Sequence, residues 1–305
     1  MKKFLIHMLT LRWLSGRHIV IGIPYGWLLL VFLVPFLIVF RISVADVQSA
    51  ADPFGSLLSY VDGVATLKIK LANYLFIAQD SLYALTYLSS LKYAVVTTLL
   101  CLLIGYPFAY FMARARPTIR TTLLMLVMLP FWTSFLLRIY AWKGILASNG
   151  LLNNLLLWLG VIETPLALLH TPFSLVIGMV YAYLPFMILP LYANLVKMDV
   201  RFLEAAADLG STPWKTFWLV TVPLSKSGII AGSMLVLIPC VGEFVIPELL
   251  GGPETLMIGR VLWDEFFSNN DWPMASAVTV IMILLILLPM AIFNKYQNKQ
   301  QGGGA

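Results

Sequence analysis

Glu243 stands in the middle of a long apolar run, close to Pro239 and Gly242, and it is the one acidic residue set well inside such a run. An ionised side chain at that depth costs about 2.5 to 3.5 kcal/mol to insert, so a residue of this kind ordinarily lines a solute path or pairs with a cation. Arg138, in another apolar run, is the obvious partner for the second role. Glu248 lies at the end of the same run as Glu243, and Asp264 and Glu265 lie beside Trp263 and Phe266, just ahead of the last apolar stretch. No hydrolytic or phosphate-binding pattern accompanies these carboxylates: the chain has no G-x-x-x-x-G-K-[ST], H-E-x-x-H or G-x-S-x-G. The three histidines are scattered, and Cys101 and Cys240 both fall inside apolar runs. We expect no catalytic residue, no metal site and no disulfide.

A second feature is polar. The run Glu204-Ala205-Ala206-Ala207-Asp208-Leu209-Gly210 is helix-prone and is set between long apolar segments. Gly210 is a natural stop, and Pro213 suits the first turn of a further short element. The alanines are small enough to let another surface approach closely. Glu204, near the helix start, complements the positive end of the helix dipole and can also accept hydrogen bonds from a partner.

The elements that must position these residues are transmembrane helices. With 60% apolar and 11% charged residues and a mean hydropathy of +0.89, the chain reads as an all-α integral membrane protein. Apolar runs place six spans at Ile21 to Phe40, Leu88 to Ala113, Thr121 to Trp142, Pro172 to Val196, Gly228 to Leu250 and Ala275 to Phe293. The expected organisation is an N-terminal segment over 1–20, a first span and long loop over 21–87, a core of five spans over 88–294, and a tail over 295–305. The polar segment falls in the loop at 197–226. Most of the 20 Lys and Arg lie on the side of the termini, which the positive-inside rule makes cytoplasmic. Only Asp199, Glu204 and Asp208 of the 14 acidic residues lie there, which points to an outer vestibule that attracts cations. Residues 151–159, after Ser148-Asn149-Gly150, read as a short helix at the interface or packed on the spans.

Glu204-Ala205-Ala206, three residues, Gly210, nine residues, then Val220-Thr221-Val222-Pro223 resembles the EAA loop of the permeases of binding-protein-dependent ABC importers. Val220 and Val222 stand where that pattern has Ile and Leu. Further segments resemble the polyamine branch, and the putrescine importers in particular. These are Leu129-Pro130-Phe131-Trp132-Thr133-Ser134-Phe135, Arg138-Ile139-Tyr140-Ala141-Trp142, Val180 to Phe186 and Gly242 to Pro253. The resemblance covers the chain from about Ile19 to Lys295 and implies a type I permease fold in a bacterial inner membrane. It also implies a second related permease, two ATPase subunits that bind ATP and Mg, and a periplasmic polyamine-binding protein. No cofactor in this chain and no nucleic-acid partner is implied.

On that resemblance, the segment Glu204, Ala205, Ala206, Ala207, Asp208 and Gly210, with Pro223, is a coupling helix for the ATPase. Glu243, Glu248, Asp264, Glu265, Trp263, Tyr181, Tyr183 and Trp132 are candidates for the substrate path. A slim diamine needs an anion or a π face at each ammonium and apolar walls between them, and these residue types supply both. The same features would serve spermidine or another small solute. A stand-alone channel or secondary transporter would instead show internal inverted repeats and broken helices in both halves, which the apolar runs do not suggest.

Overall fold

The computed structural model describes residues 16–47, 54–55, 58–61, 64–67 and 69–301. The expected N-terminal segment lies outside these residues up to position 15, as do parts of the long loop and the last four residues. The described chain forms two compact units, Ile77–Asp264 and the remainder on either side of it.

In the flanking unit, α1 (Gly16–Leu28) and α2 (Val34–Ser43) are joined by a π turn, Leu29–Leu33. The continuous stretch Val20–Ser43 is long and apolar enough to cross a membrane. Two strands, β1 (Leu58–Val61) and β2 (Val64–Leu67), form an antiparallel hairpin, the one departure from helical architecture among the described residues. A short helix, α3 (Ala72–Gln79), leads out of this unit, and α15 (Trp272–Gln301) returns to pack on α2.

The other unit is built on three helices, α4 (Ser81–Arg114), α8 (Pro172–Leu195) and α12 (Lys226–Val241), which pack on one another. Apolar side chains gain little from meeting each other rather than lipid, so close backbone approach and interhelical hydrogen bonds must hold such a bundle. The sequence supplies both. Along α4, Ser90, Ala94, Thr97, Cys101, Gly105 and Ala109 recur at helical spacing, and all are buried. On α12, a Cβ at Gly232 would stand 2.8 Å from Met187 Sδ and 3.1 Å from the Met187 carbonyl oxygen, so only glycine allows this crossing of α8. Tyr106 and Ser225 share a hydrogen bond at 2.8 Å, and Asn194 donates to Ser227 Oγ at 2.7 Å. Bonds of this kind average about 0.6 kcal/mol each in membrane bundles.

The fourth expected span matches α8 almost to the residue, and the second matches α4 with about two further turns at its start. The third and fifth are not continuous. Residues of the third fall in α5 (Pro117–Met128), a 3-10 turn at Leu129–Trp132 and α6 (Phe135–Leu146), and the chain bends there by 89°. Pro130 removes a donor from the helical ladder, and Thr133 is extended. The fifth span ends as α12 at Val241, and α13 (Val245–Leu250) resumes after Gly242 to Phe244. Glu243 is therefore in a break and not inside a helix. Hydropathy averaged over a run cannot register a change of backbone direction within it. The expectation that no span is broken is thus corrected.

Candidate functional site

The break in span five is organised by the Glu243 side chain. Its Oε1 accepts the backbone N–H groups of Phe244, Val245 and Ile246 at 3.1, 3.0 and 3.5 Å, which are free because they open α13. Its Oε2 accepts the hydroxyl of Tyr183 from α8. Glu243 is 9% exposed, and among the described residues no Lys or Arg forms an ion pair with it. The alternative role, a pairing with Arg138, is not found. That guanidinium lies over the rings of Phe131 and Phe135, at 5.8 and 5.7 Å from their centroids. Both carboxylate oxygens are thus met by neutral donors.

A short helix seals the far side of the break. In α14 (Ile258–Trp263), a Cβ at Gly259 would stand 2.5 Å from the Glu243 carbonyl oxygen and 2.6 Å from that of Gly242. The Ile258 N–H at the start of α14 donates to Ser90 Oγ at 2.7 Å, which fixes α14 to α4. Trp263 stacks on Phe244 with centroids 4.5 Å apart and planes 9° from parallel. On the near side, Tyr183 tilts against Phe186 at 6.0 Å, and Phe186 meets Phe131 edge-on at 5.2 Å. The two broken spans are thus linked through α8, by the rings of Phe131, Phe186 and Tyr183 and by the Tyr183–Glu243 hydrogen bond.

The other path candidates divide. Tyr181 packs edge-on against Trp142 at 5.5 Å. Trp132 is 88% exposed, and its indole is the most open side chain of its turn. Glu248 pairs with Arg260 at 2.7 Å, and Asp264 approaches the same guanidinium at 4.0 Å. Arg260 was not singled out from the sequence, where it is one cation among many. Its i, i+4 spacing to Asp264 was the available signal. Glu265 belongs to the flanking unit, where it accepts from Asn269 at 2.9 Å.

The polar segment forms α9 (Arg201–Asp208), with Glu204 in its first turn and no buried residue. Gly210 has φ +77°. The Ser211 N–H bonds the Ala206 carbonyl, and the Gly210 N–H bonds that of Ala207, both at 2.9 Å, which is the two-bond left-handed cap expected of a glycine stop. After it come α10 (Pro213–Thr216), a π turn at Phe217–Thr221 and α11 (Val222–Leu224), which carries Pro223. Sequence reading missed Phe217. Its ring meets Tyr106 and Tyr110 of α4 edge-on at 5.4 and 6.4 Å and stacks on Trp214 at 6.1 Å. A cavity of about 240 Å³ between α9 and this aromatic cluster is lined by Tyr110, Leu203, Ala207 and Phe217 among others.

A family model described as "Binding-protein-dependent transport system inner membrane component" matches residues 102–301. The spermidine/putrescine transport system permease protein PotB of Salmonella typhimurium (strain SL1344) is 40% identical over 277 residues, 91% of this chain and 92% of that protein. PotB of Escherichia coli (strain K12) is 40% identical over 268 residues, 88% of this chain and 93% of that protein. The likeness drawn from sequence to the putrescine permease PotH falls in this same family. Among solved structures, a bacterial ABC transporter involved in the import of the acidic polysaccharide alginate superposes with a TM-score of 0.62 at 17% identity. That match covers 98% of this chain and 96% of the other, and it shows a shared type I importer permease fold.

Proposed function

The chain belongs to the inner membrane components of binding-protein-dependent transport systems, the permeases of ABC importers, and from that premise we propose that it carries polyamines as one of two permease subunits. It is a transport subunit and not an enzyme, and in this family ATP hydrolysis belongs to a separate subunit. The observation that carries the polyamine reading is the 40% identity to PotB across nine tenths of both chains. Putrescine is the preferred cargo in this reading, with spermidine as the alternative. A periplasmic polyamine-binding protein delivers it, and a second permease and two ATPase subunits complete the machine. Both termini then lie in the cytoplasm, on the same side as α9.

Two features of the geometry support this reading. An exposed, firmly capped α9 is suited to seat in a groove on an ATPase, and Phe217 ties its neighbouring helix to α4, so movement of one can pass to the other as a rigid body. At the break, Glu243 offers an anion backed by Tyr183, with Phe244 and Trp263 as apolar wall. Trp132 and Tyr181 remain candidates for the proposed path. Glu248 and Asp264 meet an ammonium only in competition with Arg260. An importer must also release what it admits, so high affinity belongs to the binding protein.

Reconstitution in liposomes with the second permease, the ATPase and candidate binding proteins tests this, with ATP hydrolysis and uptake measured for putrescine and spermidine. Both should rise with a polyamine-loaded binding protein. Failure to associate with any ATPase would remove the coupling assignment, and stimulation by an anionic solute alone would remove the polyamine one.

A further inference from the structure

We infer that Arg260 is a resident counter-ion that a passing polyamine displaces from Glu248 and Asp264, and that it keeps this acidic pair from retaining the solute. The inference rests on the polyamine reading above.

The helices α13 and α14 meet in two successive rungs. The stack of Phe244 on Trp263 is the first. One turn further along α13 and one turn back along α14, Arg260 Nε stands 2.7 Å from Glu248 Oε2, and Asp264 lies 4.0 Å from the same nitrogen. This charged rung is the neighbour of the break in span five. Phe244 follows Glu243 in the chain, and Gly259, beside Arg260, abuts the carbonyl oxygens of Gly242 and Glu243.

The rung is loosely made. Nε lies close to the Glu248 carboxylate, yet its N–H is not directed at that oxygen or at any other acceptor, so charge and not a directed bond holds the pair. The side chains of Glu248 and Asp264 are 52% and 49% exposed, so a solute can reach both, and pairs this open contribute little to stability. Nor do the helices depend on it. Gly259, the Phe244–Trp263 stack and the bond from the Ile258 N–H to Ser90 Oγ already fix α14.

Two carboxylates against one guanidinium leave one negative charge. That surplus draws a cation in, whereas two bare carboxylates beside Glu243 would hold a polyvalent one. Arg260 is tethered where an ammonium would sit and returns to Glu248 as the solute moves on. It thereby limits how tightly this stretch of the path binds, as release requires.

The test uses the chain with the second permease and the ATPase. Binding of labelled putrescine is measured on the purified complex without a binding protein, and uptake is measured in liposomes with one. Arg260→Gln should tighten putrescine binding about fivefold and lower the maximal uptake rate by a similar factor, with the melting temperature unchanged. Adding Glu248→Gln should return both values toward those of the unaltered importer, and Arg260→Lys should keep most of the rate. Unchanged or weaker binding by Arg260→Gln overturns the inference. So does a lower melting temperature that Glu248→Gln alone reproduces, which would make the pair a structural clasp. If Arg260→Gln does not assemble, Asp264→Asn decides: it should weaken putrescine binding about threefold, and equal binding overturns the inference. An unaltered importer that takes up no polyamine defeats the polyamine reading and this inference with it, whereas polyamine uptake that Arg260→Gln leaves intact defeats the inference alone.

Discussion

The Tyr183 hydroxyl donates to the Glu243 carboxylate, and so joins α8, one of the three central helices of the bundle, to the break in span five. Oε1 of the same carboxylate holds three backbone N–H groups that would otherwise lack partners. One side chain therefore has two jobs: it starts α13 and it receives α8.

Glu243→Gln should separate those jobs. The amide oxygen keeps the bonds to the backbone, so the chain should still assemble with the second permease, with a stability loss of about 1 kcal/mol from the weaker cap. Uptake in the reconstituted importer should fall about tenfold or more, as expected where an interaction of about 1.4 kcal/mol with an ammonium is lost. Unchanged uptake would leave Glu243 a structural cap.

Tyr183→Phe leaves the carboxylate short of one donor in a buried place. The isolated chain should lose about 1–3 kcal/mol in thermal or denaturant unfolding. Combined with Glu243→Gln it should show a coupling of about 0.5–3 kcal/mol, since the two groups share one bond. Additive losses would mean that the bond contributes nothing.

Gly210→Val tests the coupling helix. A Cβ there meets open space, so sterics with neighbours are irrelevant, and the cost is that of a left-handed residue, about 1–2 kcal/mol. That strain should loosen the α9 cap, and ATP hydrolysis should continue with reduced uptake. Full coupling in this variant would remove α9 from the mechanism.

Local features were legible in the sequence. The stop at Gly210, the proline opening of α10, the bounds of α8 and the short helix α7 (Leu151–Trp158) all follow from residue types within a few positions of one another. The breaks were not, because Leu129 to Phe135 and Cys240 to Ile246 keep an apolar composition through a change of direction. Nor were the partners of the charges. Glu243 meets Tyr183 across 60 residues of sequence, and Phe217 meets Tyr106 through a crossing that no helical period encodes. Arg138, a possible partner for Glu243 by residue type, stands instead over Phe131 and Phe135.

Gly259→Ala should be among the most damaging small changes in the chain. The added methyl would press on the carbonyl oxygens of Gly242 and Glu243, which are backbone atoms and cannot rotate away. Overpacking of this kind typically costs about 1–3 kcal/mol. A lower melting temperature and reduced uptake are expected together, in contrast to Glu243→Gln, which should reduce uptake far more than stability.

Bare N–H groups at the start of a helix repel cations and would act as an electrostatic barrier wherever a span is interrupted. At the span-five break Oε1 of Glu243 covers three such groups and leaves a surplus of negative charge, so the local field has the opposite sign. An interruption that would ordinarily draw anions thereby loses that pull.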